Sequence, residues 1–391
     1  MSSSAFIQPL DVWSFRGNRL FGDAGSWGAV HMPPPPSVLA GALRSAILVQ
    51  DGVDLHAFAA SQAPHPLLGT PAAPGPFSVS EVLPARCHPG GHIEPVYPLP
   101  ADLVAMEMTE APKDRAGSFM LSLMRLHRPH PALMASQPLP LLPVLRADSR
   151  SKPLARRWLS AAGMRSWLAG QLPASAETLS DQDLWLVEER VGVALQAETR
   201  RADDGKLFSV QTVACRPQTG LAVRVQGAQL RSGILRLGGD GRSARLSPEH
   251  VAWPEPDYEA IARAGRARLY LSSPGLFPLG WLPTGCQPPD QQGAAFELGG
   301  VRARLVAAAV PRAAVISGFD LARGQPKSAQ RAVAAGAVYW LDQLQASAQD
   351  LARLVEQGLW PHNPHDPGYD AARRAEGYNR CLIAAWPTDP T

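Results

Sequence analysis

Residues 33–47 read Pro-Pro-Pro-Pro-Ser-Val-Leu-Ala-Gly-Ala-Leu-Arg-Ser-Ala-Ile. Four prolines in a row can continue neither a strand ladder nor a helix interior. Ser37 then stands where a helix N-cap belongs. Behind it Val38, Leu39, Ala42, Leu43, Ala46 and Ile47 recur at helical spacing, a stripe that must be buried. Upstream, Phe6–Phe15 has the texture of a strand and leads into a Gly/Arg-rich turn over 16–28. The chain therefore opens as strand, proline loop, helix.

Working outward, residues 60–145 are rich in Pro and His, with short apolar pieces at Phe77–Leu83 and Leu139–Leu145. Irregular hairpins and long loops over a sheet are expected there, followed by a helix over Leu154–Leu168. From Leu184 the texture is β: Trp185–Gln196, Leu207–Cys215, Leu221–Val225 and Ile234–Leu237. The polar link 198–206 joins the first two as an exposed hairpin tip. Further strands are predicted at Ala267–Ser272, Val301–Ala309, Ala314–Phe319 and Ala337–Leu341. A helix over Ala346–Gln357 and a last strand, Arg380–Trp386, complete the pattern. Many strands with few helices at 391 residues predict two α+β units, because a doubly wound parallel sheet needs a helix per crossover.

The composition is that of a packed globular protein, 45% hydrophobic and 18% charged. Met1–Leu10 has no basic cluster before an apolar core, so no signal peptide is expected. No apolar run approaches the roughly 20 residues of a bilayer span, and a cytoplasmic location is expected. Cys87, Cys215, Cys286 and Cys381 are scattered singly, which fits free thiols and argues against a zinc ribbon. Net charge is only +3, but 33 of the 37 basic residues are arginines. A GC-rich genome would raise arginine everywhere, so its placement along the chain is more informative. Residues 190–245 carry ten basic and four acidic groups, and residues 301–340 six basic and one acidic. Such segregation fits a basic groove with acidic surfaces elsewhere.

Three segments could serve that groove. Ser37, Gly41 and Arg44 lie within about 60° of one another on the helix after the proline loop. A small residue between a hydroxyl and a guanidinium either admits another chain or packs the helix on a sheet. In Leu237-Gly238-Gly239-Asp240-Gly241-Arg242-Ser243-Ala244-Arg245 three glycines permit positive φ and expose N–H groups suited to anions. A tight turn explains the same residues, and no Walker sequence accompanies them. In Ser317–Trp340, Arg323, Lys327 and Arg331 stand among Phe319, Tyr339 and Trp340, a pairing of phosphate contacts with aromatic rings found on RNA-binding sheets. Alternation along Val338-Tyr339-Trp340-Leu341 sends at least two of these side chains into a core.

Catalytic signatures are missing. His127/His130 and His362/His365 are spaced HxxH, and Cys87, His88 and His92 share a Pro/Gly loop. None has the helix-borne spacing of a hydrolytic metal site, and no Gly-x-Ser-x-Gly elbow occurs. No metal or cofactor is expected.

Taken in order, six blocks resemble the Cmr-family RAMP proteins of type III-B CRISPR systems. They are Phe21 with the 33–37 loop and Gly41–Ser45; Glu189–Leu195 with Thr199, Gly205, Leu207 and Phe208; Leu237–Arg242; Leu269–Leu271 running to Phe277–Pro283; Ser317–Ala322; and Gly336–Trp340. The chain departs from that pattern at Ala334-Ala335, where a proline is usual.

The resemblance implies two ferredoxin-like (RRM-like) RAMP domains, over 1–206 and 207–391. The first would carry an insertion at about 50–150 and a thumb-like hairpin at about 190–208. It also implies a non-catalytic subunit that binds the 5′ handle of the CRISPR RNA, docks the large polymerase-type subunit and backbone RAMP subunits, and meets target RNA near the handle. The expected RNA contacts are Arg16, Arg19, Phe21, Ser37, Gly41, Arg44, Arg190, Arg200, Arg201, Lys206, Gly238, Gly239, Gly241, Arg242, Arg323, Lys327, Arg331 and Tyr339, with Trp340 a second candidate for stacking. The alternatives are a RAMP endoribonuclease, with His31 near the proline loop as its candidate base, and a purely structural capping adaptor.

Overall fold

A computed structural model describes all residues except 1, 16–26, 29, 108–118, 131–132, 134, 136–137, 147–151 and 388–391, and all side chains within these but those of 27, 28, 204 and 205. In chain order the first unit contributes β1 (Ser2–Pro9), α1 (Pro36–Gln50), β2 (Ser78–Cys87), β3 (Ile93–Pro95) and α2 (Ala161–Leu168). It continues with β4 (Trp185–Leu195), β5 (Ala202–Cys215), β6 (Thr219–Gln226), β7 (Gly233–Arg236) and β8 (Ser243–Pro248). The second contributes α3 (Tyr258–Ala264), β9 (Ala267–Leu271), β10 (Ala294–Leu298), β11 (Val301–Ala309), β12 (Val338–Gln345), α4 (Ala348–Gln357), α5 (Ala371–Glu376) and β13 (Cys381–Ala385).

Two antiparallel sheets organise these elements, in the orders β7-β8-β1-β6-β2-β3 and β10-β11-β12-β9-β13. The protein is thus mixed α and β, strand-rich with few helices, as the texture of the sequence predicts. β6, β7 and β8 pair into the first sheet, so that sheet takes strands from both sides of residue 206, where the sequence divides the chain, and extends to Pro248. Strand pairing is a long-range property that local texture does not carry.

Alternation decides what each sheet covers. Ala5 and Ile7 of β1 with Leu221, Val223 and Val225 of β6 bury against Leu39, Leu43 and Ile47 of α1. In the second sheet Leu269, Tyr339, Leu341 and Ile383 face Leu351 and Leu354 of α4. The opposite face, with Tyr270, Val338, Trp340 and Leu382, packs on Leu83, Tyr97, Met164 and Trp167 of the first unit. The second sheet is therefore buried on both sides. α5, which precedes β13 in the chain, packs against α1 and β2 of the first unit. Gly377 ends it at φ 96° in the left-handed region, and a Cβ there would lie 3.0 Å from the Val79 carbonyl of β2. Only glycine permits that approach.

α1 begins one residue earlier than Ser37, with Pro35 at the N-cap and Pro36 as its first residue, a position proline favours since its missing N–H is not needed there. Ser37 is inside the first turn. The helix expected over Leu154–Leu168 is a strand, Arg157–Leu159, and then α2, capped by Ser160 Oγ accepting from the Gly163 N–H at 3.1 Å. β1 stops at Pro9, and residues 13–15 form a separate extended strip. Among the described residues no helix is long and apolar enough to cross a membrane.

Candidate nucleic-acid interface

Three consecutive buried residues, Trp13, Ser14 and Phe15, gather three segments that are far apart in the chain. The Trp13 N–H donates to the Val213 carbonyl at 2.9 Å and the Val213 N–H returns the bond at 2.8 Å, fixing the base of the β4–β5 hairpin. The Ser14 carbonyl accepts from the Gly239 N–H at 2.7 Å, fixing the glycine turn between β7 and β8. A Cβ on Gly238, at φ 91°, would lie 2.7 Å from that same carbonyl. The Phe15 carbonyl accepts from the His31 N–H at 2.8 Å, and the His31 ring lies 3.0 Å from the Pro33 carbonyl at the head of the proline loop.

From there α1 carries the line to the 317–327 loop. A Cβ on Gly318 would sit 3.6 Å from Ser37 Oγ and 3.8 Å from Lys327 Cδ. Ser37 Oγ accepts from the Tyr378 hydroxyl at 3.3 Å. Behind them lies Glu376 of α5, 2% exposed, which accepts from Lys327 Nζ and, at 3.2 Å, from Arg373 Nη1. The Arg44 guanidinium, 6.0 Å from the Phe77 ring centroid, feels the same carboxylate. Burial lowers the pKa of Arg44 and Glu376 restores only part of it, since a desolvated cation with a shared counter-ion is under-compensated. Its Nη2 is buried with no hydrogen-bond partner among the described residues.

The remaining expected contacts divide. Among the described residues nothing lies within 4 Å of a Cβ placed on Gly41 or Gly241, so no described strand packs against Gly41. The Gly239 N–H is spent on Ser14 and cannot serve an anion, and Arg242 is paired with Asp11. On the hairpin Arg200 and Arg201 are exposed at the tip, Arg190 lies 3.3 Å from Glu188, and Lys206 lies 2.6 Å from Asp203. Arg323 is exposed, 3.9 Å from Asp320, and Arg331 is exposed on the strand Gln330–Ala332. Arg16, Arg19 and Phe21 lie outside the described residues.

The structure places Tyr339 and Trp340 otherwise than expected. Both are buried in β12, Tyr339 donating its hydroxyl to the Trp281 carbonyl at 2.7 Å, and neither ring can stack on a base. The first half of this central strand, Val338–Leu341, is covered on both faces and buries both rings. The accessible ring of that segment is Phe319, 55% exposed beside Leu321. Sequence reasoning also missed Glu376, Arg373 and Tyr378, since α5 is only six residues long and shows no periodic stripe. Burial pushes the Cys215, Cys286 and Cys381 thiols up to about 12, away from reactivity. Among the described residues no group of three or more His, Cys, Asp or Glu could hold a metal ion.

The family model for CRISPR-associated protein (Cas_Cmr3) matches residues 5–386. The chain belongs to the Cmr3 family. That family is CRISPR-associated, as the six sequence blocks imply. Chains in two solved structures are similar to this Cmr3-family chain. One, the cryo-EM structure of the Type III-B Cmr-beta bound to cognate target RNA and AMPPnP, state 1, has 14% identity and a TM-score of 0.49, covering 97% of this chain and 98% of that one. The other, Cmr-beta bound to cognate target RNA, has 13% identity and a TM-score of 0.47, covering 97% and 96%. Among curated proteins none matches the sequence.

Proposed function

We propose that this Cmr3-family chain is a non-catalytic RNA-binding subunit that holds the single-stranded 5′ handle of a CRISPR RNA along the line from the glycine turn to the 317–327 loop. The observation that carries this is the gathering strip: Trp13, Ser14 and Phe15 tie the hairpin, the glycine turn and the proline loop to one another, and α1 extends the row to Lys327. Cationic loops spread over 300 residues of sequence then serve one track, as a polyanion requires. Arg44, Lys327, Arg323 and Arg331 supply phosphate contacts and Phe319 a stacking ring. The open Gly41 admits the RNA backbone.

We read both units as ferredoxin-like. The sub-orders β8-β1-β6-β2 and β13-β9-β12-β11 support this, each placing the first strand of its unit beside the last and the third. The β4–β5 hairpin, whose Val191, Val193, Leu195 and Leu207 are exposed, is the thumb that lies against the guide–target duplex. The large polymerase-type subunit and backbone RAMP subunits dock on the remaining surface.

Binding of a labelled handle oligonucleotide to the full chain tests the proposal. For about five phosphate contacts, affinity falls roughly a hundredfold between about 50 and about 200 mM salt. An affinity indifferent to salt, or no binding at all, overturns it.

A further inference from the structure

The cluster around Glu376 has more positive charge than it can compensate. Lys327 and Arg373 both donate to one carboxylate that is 2% exposed, and the Arg44 guanidinium feels the same charge without bonding to it among the described residues. Arg44 Nη2 lacks a partner among the described residues. Ser37 Oγ accepts from Tyr378, which leaves its own hydroxyl proton to donate. Orphan donors and surplus cations in a half-buried place call for an anion.

The two cations that hydrogen-bond to Glu376 are not equivalent. The side chain of Arg373 is 6% exposed, stacks at 5.2 Å on Tyr378 and is fixed on its own helix. The side chain of Lys327 is 26% exposed and approaches from a loop. A lysine is a flexible point charge and can change partners where a packed guanidinium cannot.

We propose that Lys327 is an exchanging residue: Glu376 holds it in the free protein, and an RNA phosphate seated against Ser37, Arg44 and Gly318 takes it on binding. Glu376 keeps Arg373 throughout and so competes with the RNA for Lys327. This rests on the RNA-binding reading above and adds to it the place of one phosphate and a carboxylate that opposes its capture.

The test uses the full chain and a fluorescein-labelled single-stranded oligoribonucleotide, with affinity followed against salt. Glu376→Gln removes the competitor and tightens binding about tenfold, the scale of one charge-assisted hydrogen bond. Lys327→Met weakens binding and makes the salt slope shallower by roughly 0.7, one single-strand phosphate. The double variant binds no tighter than Lys327→Met. A folded Glu376→Gln protein that binds no tighter than wild type overturns the exchange. So does a Lys327→Met protein with unchanged affinity and slope, and that arm decides the matter should Glu376→Gln not fold. Wild-type protein that fails to bind RNA removes the functional reading and the exchange together. Salt-dependent wild-type binding with an unaltered Lys327→Met removes the exchange alone.

Discussion

Phe319 and Tyr339 sit 20 residues apart in one basic segment, and of the two the sequence points to Tyr339 as the RNA contact. The structure separates them: Phe319 is 55% exposed on the short strand Phe319–Asp320, while Tyr339 is wholly buried. A base can stack only on a ring whose face meets solvent, and such stacking contributes about 1–3 kcal/mol. Phe319→Ala is therefore expected to weaken single-stranded RNA binding about tenfold or more, with an unchanged Tm. Equal affinity in a titration would remove Phe319 from the site. Arg44 was legible as a helix-face arginine. Its desolvation and its shared carboxylate were not, since Glu376 lies more than 300 residues away.

At the level of elements, most strands were legible because alternation is local; Val301–Ala309 was read to the residue. β8, α3 and α5 were not read. They are short, and β8 follows directly on a glycine turn whose chemistry drew the reading. The outer edge of the first sheet shows what composition alone would miss. Glu94 of β3 stands opposite Arg86 of β2 in register, and accepts from Arg86 Nη2 at 2.6 Å and His88 Nε2 at 2.8 Å. Burial pushes the Glu94 carboxyl up, but the His88 and Arg86 bonds outweigh it and hold the pKa below the ordinary 4.5. A depressed carboxylate stabilises the fold fully above its unfolded pKa and loses that contribution as pH falls through the folded one. Glu94→Gln should thus destabilise the protein by about 1 kcal/mol at neutral pH, lowering Tm by about 2 °C. The gap to wild type should close as pH drops below about 4. Thermal melts across pH check this, and a gap that persists in acid would contradict it.

Across the whole molecule, the two units are joined through a buried charge. Arg268 of β9 and Asp102, both wholly inaccessible, lie 2.6 Å apart. Arg268 also donates to the Trp167 and Ala385 carbonyls at 2.7 Å and 3.0 Å, its guanidinium 4.0 Å from the Trp167 ring centroid. Removing one partner strands the other in an apolar interior, a loss of about 3–5 kcal/mol. Arg268→Ala should show that loss in urea denaturation, whereas Arg268→Met with Asp102→Leu should recover most of it. A single variant that loses under about 1 kcal/mol would mean the pair does not hold the units together.

By itself the sequence determined the strand-rich class, the proline loop with its helix, the β4–β5 hairpin and the family, because these rest on local periodicity, turn chemistry and ordered motifs. Only the tertiary structure decided which strands complete the first sheet, which aromatic rings face solvent, and that Lys327 and Arg373 share a carboxylate whose charge Arg44 also feels. Those depend on which strands pair and which helices cross between units. Pairing and crossing are fixed by burial summed over the whole chain, which no window of residues records.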